Sequence, residues 1–150
     1  MSGTTADPSF VFPIRVYYED TDAAGVVYYA SYLKFFERAR TEWLRALGFE
    51  QRGLAELGVA FVARSVSVEY LKPARLDDAL NIVSEIGSVG RAQIVFAQRV
   101  LRDGPQAGEG AELLLTSTMR IACIEPAGMR PAAMPKDIYE IFKALTGKRA

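Results

Sequence analysis

Histidine does not occur anywhere in the 150-residue chain. Its absence excludes Ser-His-Asp and Cys-His nucleophilic catalysis, HExxH zinc sites, two-histidine iron sites and imidazole-based pH switching. Acid–base work therefore falls to carboxylates, lysine, tyrosine or backbone dipoles. Cysteine is almost as scarce. The single Cys123 can form neither an internal disulfide nor a thiolate cluster, and it lies in the apolar run Met119-Arg120-Ile121-Ala122-Cys123-Ile124, where a small buried hydrophobe is expected. No uncharged apolar stretch approaches the roughly 18 residues of a membrane span. Met1 to Ser9 is small and polar and lacks the basic and apolar regions of a secretory signal, so a loose tail and a cytoplasmic location are expected. Neither sign of charge dominates: 18 Lys+Arg balance 18 Asp+Glu, leaving no net positive field to attract nucleic acid or anionic lipid. No metal site is visible, and none is expected.

What is present is the composition of an ordinary globular protein, with 50% of residues hydrophobic and 24% charged. The length suits one domain, expected over residues 10–150 behind a tail at 1–9. Phe10 to Tyr18 is aromatic and β-branched and predicts a first strand, with Pro13 marking an edge or bulge. Turn chemistry follows at 20–25. From about Ser31 to Leu47, the residues Leu33, Phe36, Ala39, Trp43, Leu44 and Leu47 recur at helical steps, and Gly48 supplies a stop. A short helical stretch at 50–57 ends at Gly58. The period then becomes alternating. Strands are predicted at 59–70, 77–88, 91–102 and 112–124, separated by Lys72-Pro73, by the turn at 87–90 and by a turn cluster at 103–110. A last amphipathic helix opens near Pro135 and ends at Gly147. Successive strands joined by tight turns pair antiparallel, and the long helix must bury its apolar stripe against them. The expected class is α+β, a long central helix packed on a curved antiparallel sheet of five to six strands.

The chemistry is concentrated between Arg15 and Arg40. The strand there ends in three acids, Glu19, Asp20 and Asp22; a turn containing Gly25 follows, and the uncharged segment Val26-Val27-Tyr28-Tyr29-Ala30 runs into the helix. Asp22 and the helix start must be close, because only a handful of residues separate them. A helix start offers unpaired N–H groups and partial positive charge, which can polarise a carbonyl or hold an oxyanion. A carboxylate beside it can act as base or nucleophile. Together they make a minimal acyl-transfer site without histidine. Spacing alone leaves a second reading open, in which the acids are solvated turn residues.

Several segments in order carry a resemblance: Tyr17-Tyr18-Glu19-Asp20-Thr21-Asp22, Phe36-Glu37-Arg38-Ala39-Arg40-Thr41-Glu42, Val68-Glu69-Tyr70, Pro73-Ala74-Arg75-Leu76-Asp77-Asp78 and Pro135-Lys136. From Pro13 to Phe142 the chain resembles the hot-dog-fold acyl-CoA thioesterases, in particular the 4-hydroxybenzoyl-CoA thioesterase-like group and its YbgC-type branch. The resemblance implies a hot-dog domain assembled as a homo-oligomer, a dimer or a dimer of dimers. It implies that Asp22 is the catalytic aspartate, with Glu19 and Asp20 shaping the turn. It also implies that the Tyr29 N–H points at the thioester carbonyl. Gly25, Val26 and Val27 in the turn, Val62 near the acyl group, Glu37 at the acyl tail and Arg91 at the phosphates of coenzyme A are the substrate-binding positions it suggests. For Glu37 and Arg91 an ordinary surface role competes with the binding role.

The activity implied is hydrolysis of a short-chain aliphatic or aromatic acyl-CoA to free acid and thiol. Coenzyme A would be part of the substrate, and no separate cofactor is expected. Many YbgC-type sequences carry histidine where this chain has Tyr29, whereas tyrosine there is similar to the 4-hydroxybenzoyl branch. A backbone N–H survives any side-chain change, so this departure bears on substrate preference and leaves carbonyl polarisation in place. Two other readings compete: a dehydratase or hydratase acting on acyl thioesters, disfavoured by the missing histidine, and a non-catalytic acyl-CoA-binding or scaffold protein. RNA binding finds no support in a neutral chain without an RNP1-like run.

Overall fold

A computed structural model describes residues 8–49, 51–103 and 110–146. Most of the tail, most of the 103–110 turn cluster and the stop at Gly147 lie outside the described residues. In chain order the elements are β1 (Ser9–Arg15), a 3-10 turn (Tyr18–Asp20), α1 (Ser31–Ala46), α2 (Gln51–Glu56), β2 (Ala60–Tyr70), β3 (Ala79–Val89), β4 (Gln93–Arg102), β5 (Glu112–Glu125), β6 (Arg130–Pro131) and α3 (Lys136–Thr146). The strands form one six-stranded sheet in the order β1-β3-β4-β5-β2, with β6 added to β5 and every pairing antiparallel. A long helix lying on a curled antiparallel sheet is the hot-dog arrangement.

Two details differ from the sequence-based expectation. The first strand ends at Arg15, before the acids: the Val16 N–H still reaches its register partner, the Asp78 carbonyl (3.0 Å), but the Val16 carbonyl accepts from Asp77 (3.0 Å), the Asp78 N–H turns away to the Arg75 carbonyl (3.1 Å), and residues 18–20 close a 3-10 turn. The buried Asp20 carboxylate accepts the Tyr17 N–H at 2.9 Å, so this acid holds the turn. The two-residue strand β6 was also unforeseen; it is too short to show alternation. Pro13 does fall on an edge strand, since among the described residues β1 pairs only with β3.

Helix α1 sets the core. Tyr32, Phe35, Phe36, Ala39, Trp43 and Leu44 are buried on it, at steps of three and four residues that keep them on one face. Burying each large side chain contributes about 1.5–3 kcal/mol. Gly48, at φ +96°, ends the helix in the left-handed conformation that glycine adopts without strain. The apolar interior falls into two clusters. One gathers Trp43, Ile86, Phe96, Met119 and Cys123 with Phe142 of α3; the other gathers Phe35, Phe36, Ile82, Val100 and Leu115.

Between the clusters runs a polar row. Ser84, Gln98 and Ser117 are register partners across β3, β4 and β5, and all three are buried. Gln98 Nε2 donates to the Phe36 carbonyl of α1 (3.1 Å) and to Ser84 Oγ (2.9 Å), which ties helix to sheet. Cys123 behaves as the expected small hydrophobe, and burial pushes its thiol pKa up.

Candidate active site

The segment from Asp20 to Tyr28 folds back on itself before α1. The Tyr28 N–H donates to the Asp20 carbonyl (2.9 Å), Thr21 bridges Val27, and the Asp22 N–H donates to the Val26 carbonyl (2.9 Å). Gly25 takes φ +82°, a conformation costly to any residue with a Cβ, and returns its N–H to the Asp22 carbonyl at 3.0 Å. The Asp22 Oδ1 accepts the Ala24 N–H at 2.9 Å, an Asx turn that fixes the carboxylate at the exposed tip. The loop is stitched to the body by Val27, whose N–H reaches the Ala74 carbonyl (2.8 Å), and by the bridge from Val26 to Arg75. Asp22, Gly25, Val26 and Val27 therefore share one small structure that leads directly into the helix.

The start of α1 is bare. Its N-cap is Ala30, which has no side chain able to cap, and its first turn carries no acid. Ser31 N–H and Leu33 N–H are satisfied by Tyr28 and Ala30 carbonyls, but the Tyr29 and Ala30 N–H groups meet no acceptor among the described residues. The helix dipole thus ends in two available donors. Tyrosines surround them. The Tyr70 hydroxyl donates to the Tyr29 carbonyl at 3.1 Å, and the Tyr29 and Tyr70 rings lie edge to face at 6.5 Å. Tyr32 Oη accepts the Ala74 N–H from within the core. Burial raises the pKa of both Tyr32 and Tyr70, so these phenols stay protonated at neutral pH. Val27, Tyr29, Tyr32, Tyr70 and Lys72 line a groove of about 210 Å³ here.

A larger cavity, about 430 Å³, opens further along α1 between that helix and strands β2, β4 and β5. Leu33, Phe61, Phe96, Met119 and Phe142 give it an apolar wall, and Glu37, Arg40 and Arg64 bring charge to it. Glu37 lies about 9 Å along the helix axis from Ser31, one face round from the core. Arg40 is half-buried. Its Nη1 donates to Gln98 Oε1 (3.0 Å), and its guanidinium sits 5.9 Å from the Phe96 ring centre.

Two anticipated residues fall elsewhere. Val62 on β2 pairs with Ala122 and lines neither cavity, whereas its neighbours Phe61 and Ala63 do; strand alternation turns Val62 to the other face. Arg91 sits in the β3–β4 hairpin, where its carbonyl accepts the Met134 N–H (2.8 Å). Strand β3 has 11 residues, about 35 Å of strand, and Asp22 follows the β1 end that pairs with the opposite end of it. Arg91 and Asp22 thus lie toward opposite ends of β3. Sequence reasoning missed Arg40, Gln98 and Tyr70. A signal existed for Arg40, four residues after Phe36 and four before Leu44, on the border of the buried stripe; Gln98 and Tyr70 join the site only through strand register.

Comparison with known proteins settles the family. The thioesterase superfamily model matches residues 24–109. The chain belongs to the thioesterase superfamily. An acyl-CoA thioester hydrolase, YbgC, of Escherichia coli O6:H1 is 49% identical to this thioesterase over 134 residues, spanning 89% of the chain and 96% of the relative. A solved probable thioesterase from Bartonella henselae is 36% identical, with a TM-score of 0.74, and covers 85% of this thioesterase and 99% of its own chain. A 4-hydroxybenzoyl-CoA thioesterase variant, solved with 4-hydroxybenzoyl-CoA, aligns at a TM-score of 0.80 over 91% of this thioesterase and 99% of its own chain. At 23% identity that last likeness speaks for the shared fold alone. Among the described residues no helix is long and apolar enough to cross a membrane.

Proposed function

We propose that this thioesterase hydrolyses the thioester of a short-chain aliphatic or aromatic acyl-CoA, with Asp22 and the start of α1 as the reacting site. The observation that supports this reading is the back-folded loop of residues 20–28, which carries the Asp22 carboxylate on the turn leading into an uncapped helix terminus, where the Tyr29 and Ala30 N–H groups meet no acceptor among the described residues. Negative charge develops on the thioester oxygen as the carbonyl is attacked, and the Tyr29 N–H with the helix dipole stabilises it there. Asp22 either takes a proton from the attacking water or attacks the carbonyl itself, forming a mixed anhydride that water then opens. Both routes consume one water and release the acid and the free thiol of coenzyme A. Coenzyme A enters as part of the substrate, and the reading requires no other cofactor and no metal.

Glu37 and the apolar wall beyond it receive the acyl group in this reading, and Gly25, Val26 and Val27 flank the thioester. The separation of Arg91 from Asp22 within one protomer supports a homo-oligomeric site, in which the nucleotide bound near one copy's Asp22 meets another copy's hairpin. Exposed edges at β1 and β2 favour such assembly. Light scattering is expected to show a dimer or a dimer of dimers; a 16.5 kDa species would refute the shared site.

The test of the activity is thiol release from a panel of aliphatic and aromatic acyl-CoAs by the native chain and by Asp22→Asn. Turnover that survives intact in Asp22→Asn refutes the site, and binding without turnover by the native chain favours a non-catalytic acyl-CoA-binding protein. Single turnover in oxygen-18 water separates the two routes, since only nucleophilic attack leaves label in the Asp22 carboxylate.

A further inference from the structure

The 430 Å³ cavity holds a charge that neither the fold nor the proposed reaction uses. A guanidinium carries five N–H donors in a rigid fork. Arg40 engages one atom of its fork, Nη1, and its acceptor there is the neutral amide oxygen of Gln98. No carboxylate lies within ion-pair distance of it among the described residues. Such an arrangement is expensive. A half-buried cation against Phe96, Ile94 and Met119 loses hydration without gaining an anion. Burial accordingly lowers its pKa, with Glu37 pulling the other way.

Arg40 is nevertheless held firmly. Gln98, 2% exposed, is itself anchored to Ser84 and to the Phe36 carbonyl, so the amide oxygen that receives Arg40 cannot swing away. The remaining donors of the fork are left to the cavity. Arg40 lies about 14 Å along the α1 axis from Ser31, and helical side chains lean back toward the N-terminus. In the acyl-CoA reading, a chain whose thioester lies at the Tyr29 end and whose tail runs along α1 past Leu33 and Glu37 meets the guanidinium with its far end. Arg64 also lines the cavity, so the two arginines outweigh Glu37.

We infer that this cavity selects acyl groups bearing a carboxylate at the end remote from the thioester, with Arg40 as the residue that reads it. The inference rests on the acyl-CoA reading above and refines its substrate. A terminal carboxylate would take up the unused donors as a charge-assisted, bidentate pair, whereas a methyl terminus would leave them unmet.

The experiment compares kcat/KM for matched pairs that differ only at the far end: succinyl- with butyryl-CoA, adipoyl- with hexanoyl-CoA, and suberoyl- with octanoyl-CoA. The native enzyme is expected to favour the carboxylated member of at least one pair by about ten- to a hundredfold, as a hydrogen bond to a charged group would give. In Arg40→Met that ratio should fall toward unity, and Arg40→Lys, which keeps the charge without the fork, should retain part of it. Equal rates within every pair, or a preference that Arg40→Met leaves intact, would overturn the inference. Turnover of an aromatic acyl-CoA but of none of the six would also overturn the inference, whereas turnover of no acyl-CoA, aromatic or aliphatic, would instead refute the thioesterase reading beneath it. Circular dichroism confirms that each variant is folded, and if Arg40→Met is not, the ratio in Arg40→Lys decides.

Discussion

The N-terminal end of α1 and its middle solve opposite problems with the same helix. At the end, the chain leaves backbone donors uncapped, places tyrosines around them, and carries a tethered carboxylate on the loop that leads into them. In the middle, backbone donors are spent within the helix, and polarity is supplied by side chains, Arg40 over Gln98, set into an otherwise apolar wall. The first arrangement is general, since any carbonyl can accept from an N–H. The second is particular, since a fixed guanidinium rewards one kind of chain terminus. In the proposed reading, reactivity and selectivity lie in sequence along one rod, so that each region is expected to be disturbed with little effect on the other.

The sharpest break is at the reacting end. Asp22→Asn keeps the turn, because the amide oxygen can still accept the Ala24 N–H, yet removes the group proposed as base or nucleophile. A fall in kcat of about 100- to 10,000-fold is expected, with an unchanged far-ultraviolet circular dichroism spectrum. Next comes the middle. Gln98→Leu strips the amide that joins Arg40, Ser84 and the Phe36 carbonyl. A loss of about 1–3 kcal/mol is expected from the groups it orphans, read as a lower urea midpoint at constant m-value.

A smaller effect sharpens the reacting end without destroying it. Tyr70→Phe deletes the hydroxyl that holds the Tyr29 carbonyl, whose peptide unit carries the free Ala30 N–H. With one hydrogen bond lost, kcat is expected to drop about two- to tenfold with KM nearly constant; a change confined to KM would assign Tyr70 to binding.

The smallest effect lies at the rim of the reacting end, behind the groove residue Lys72. Lys72, at 2.9 Å, and Arg102 hold the Glu112 carboxyl below the usual glutamate range. A pKa depressed in the folded state adds stability at pH above the ordinary glutamate value, and that increment disappears as the pH falls through the folded value. Thermal melts on acidification should show this decline, flattened in Glu112→Gln and weakened by salt, as befits an exposed pair.

The fold could be read from the chain because its signals are local and periodic: the three- and four-residue steps of α1, the alternation from Ala60 onward, and Gly48 and Pro13 at positions where few other residues serve. The acids were harder. Glu19 and Asp20 read as a strand end because Tyr17 and Tyr18 favour strands, whereas the ladder is broken after Val16, where Asp77 takes the place of Asp78 as donor to the Val16 carbonyl and a 3-10 turn follows.

Sequence alone was enough to rule out imidazole chemistry, because a missing residue type is missing from every fold; it suggested that Asp22 lies toward the helix start, but nine extended residues could span about 30 Å, and it is the Thr21–Val27 bridge that folds the loop back. Sequence could not assemble the cavity. Gln98 reaches Arg40 only because β4 lies beneath α1, Tyr70 reaches Tyr29 only because β2 runs back to the helix start, and Val62 and Arg91 fall away through strand parity and strand length. Contacts between residues dozens of positions apart depend on register, and register is fixed by how the whole sheet closes around its helix.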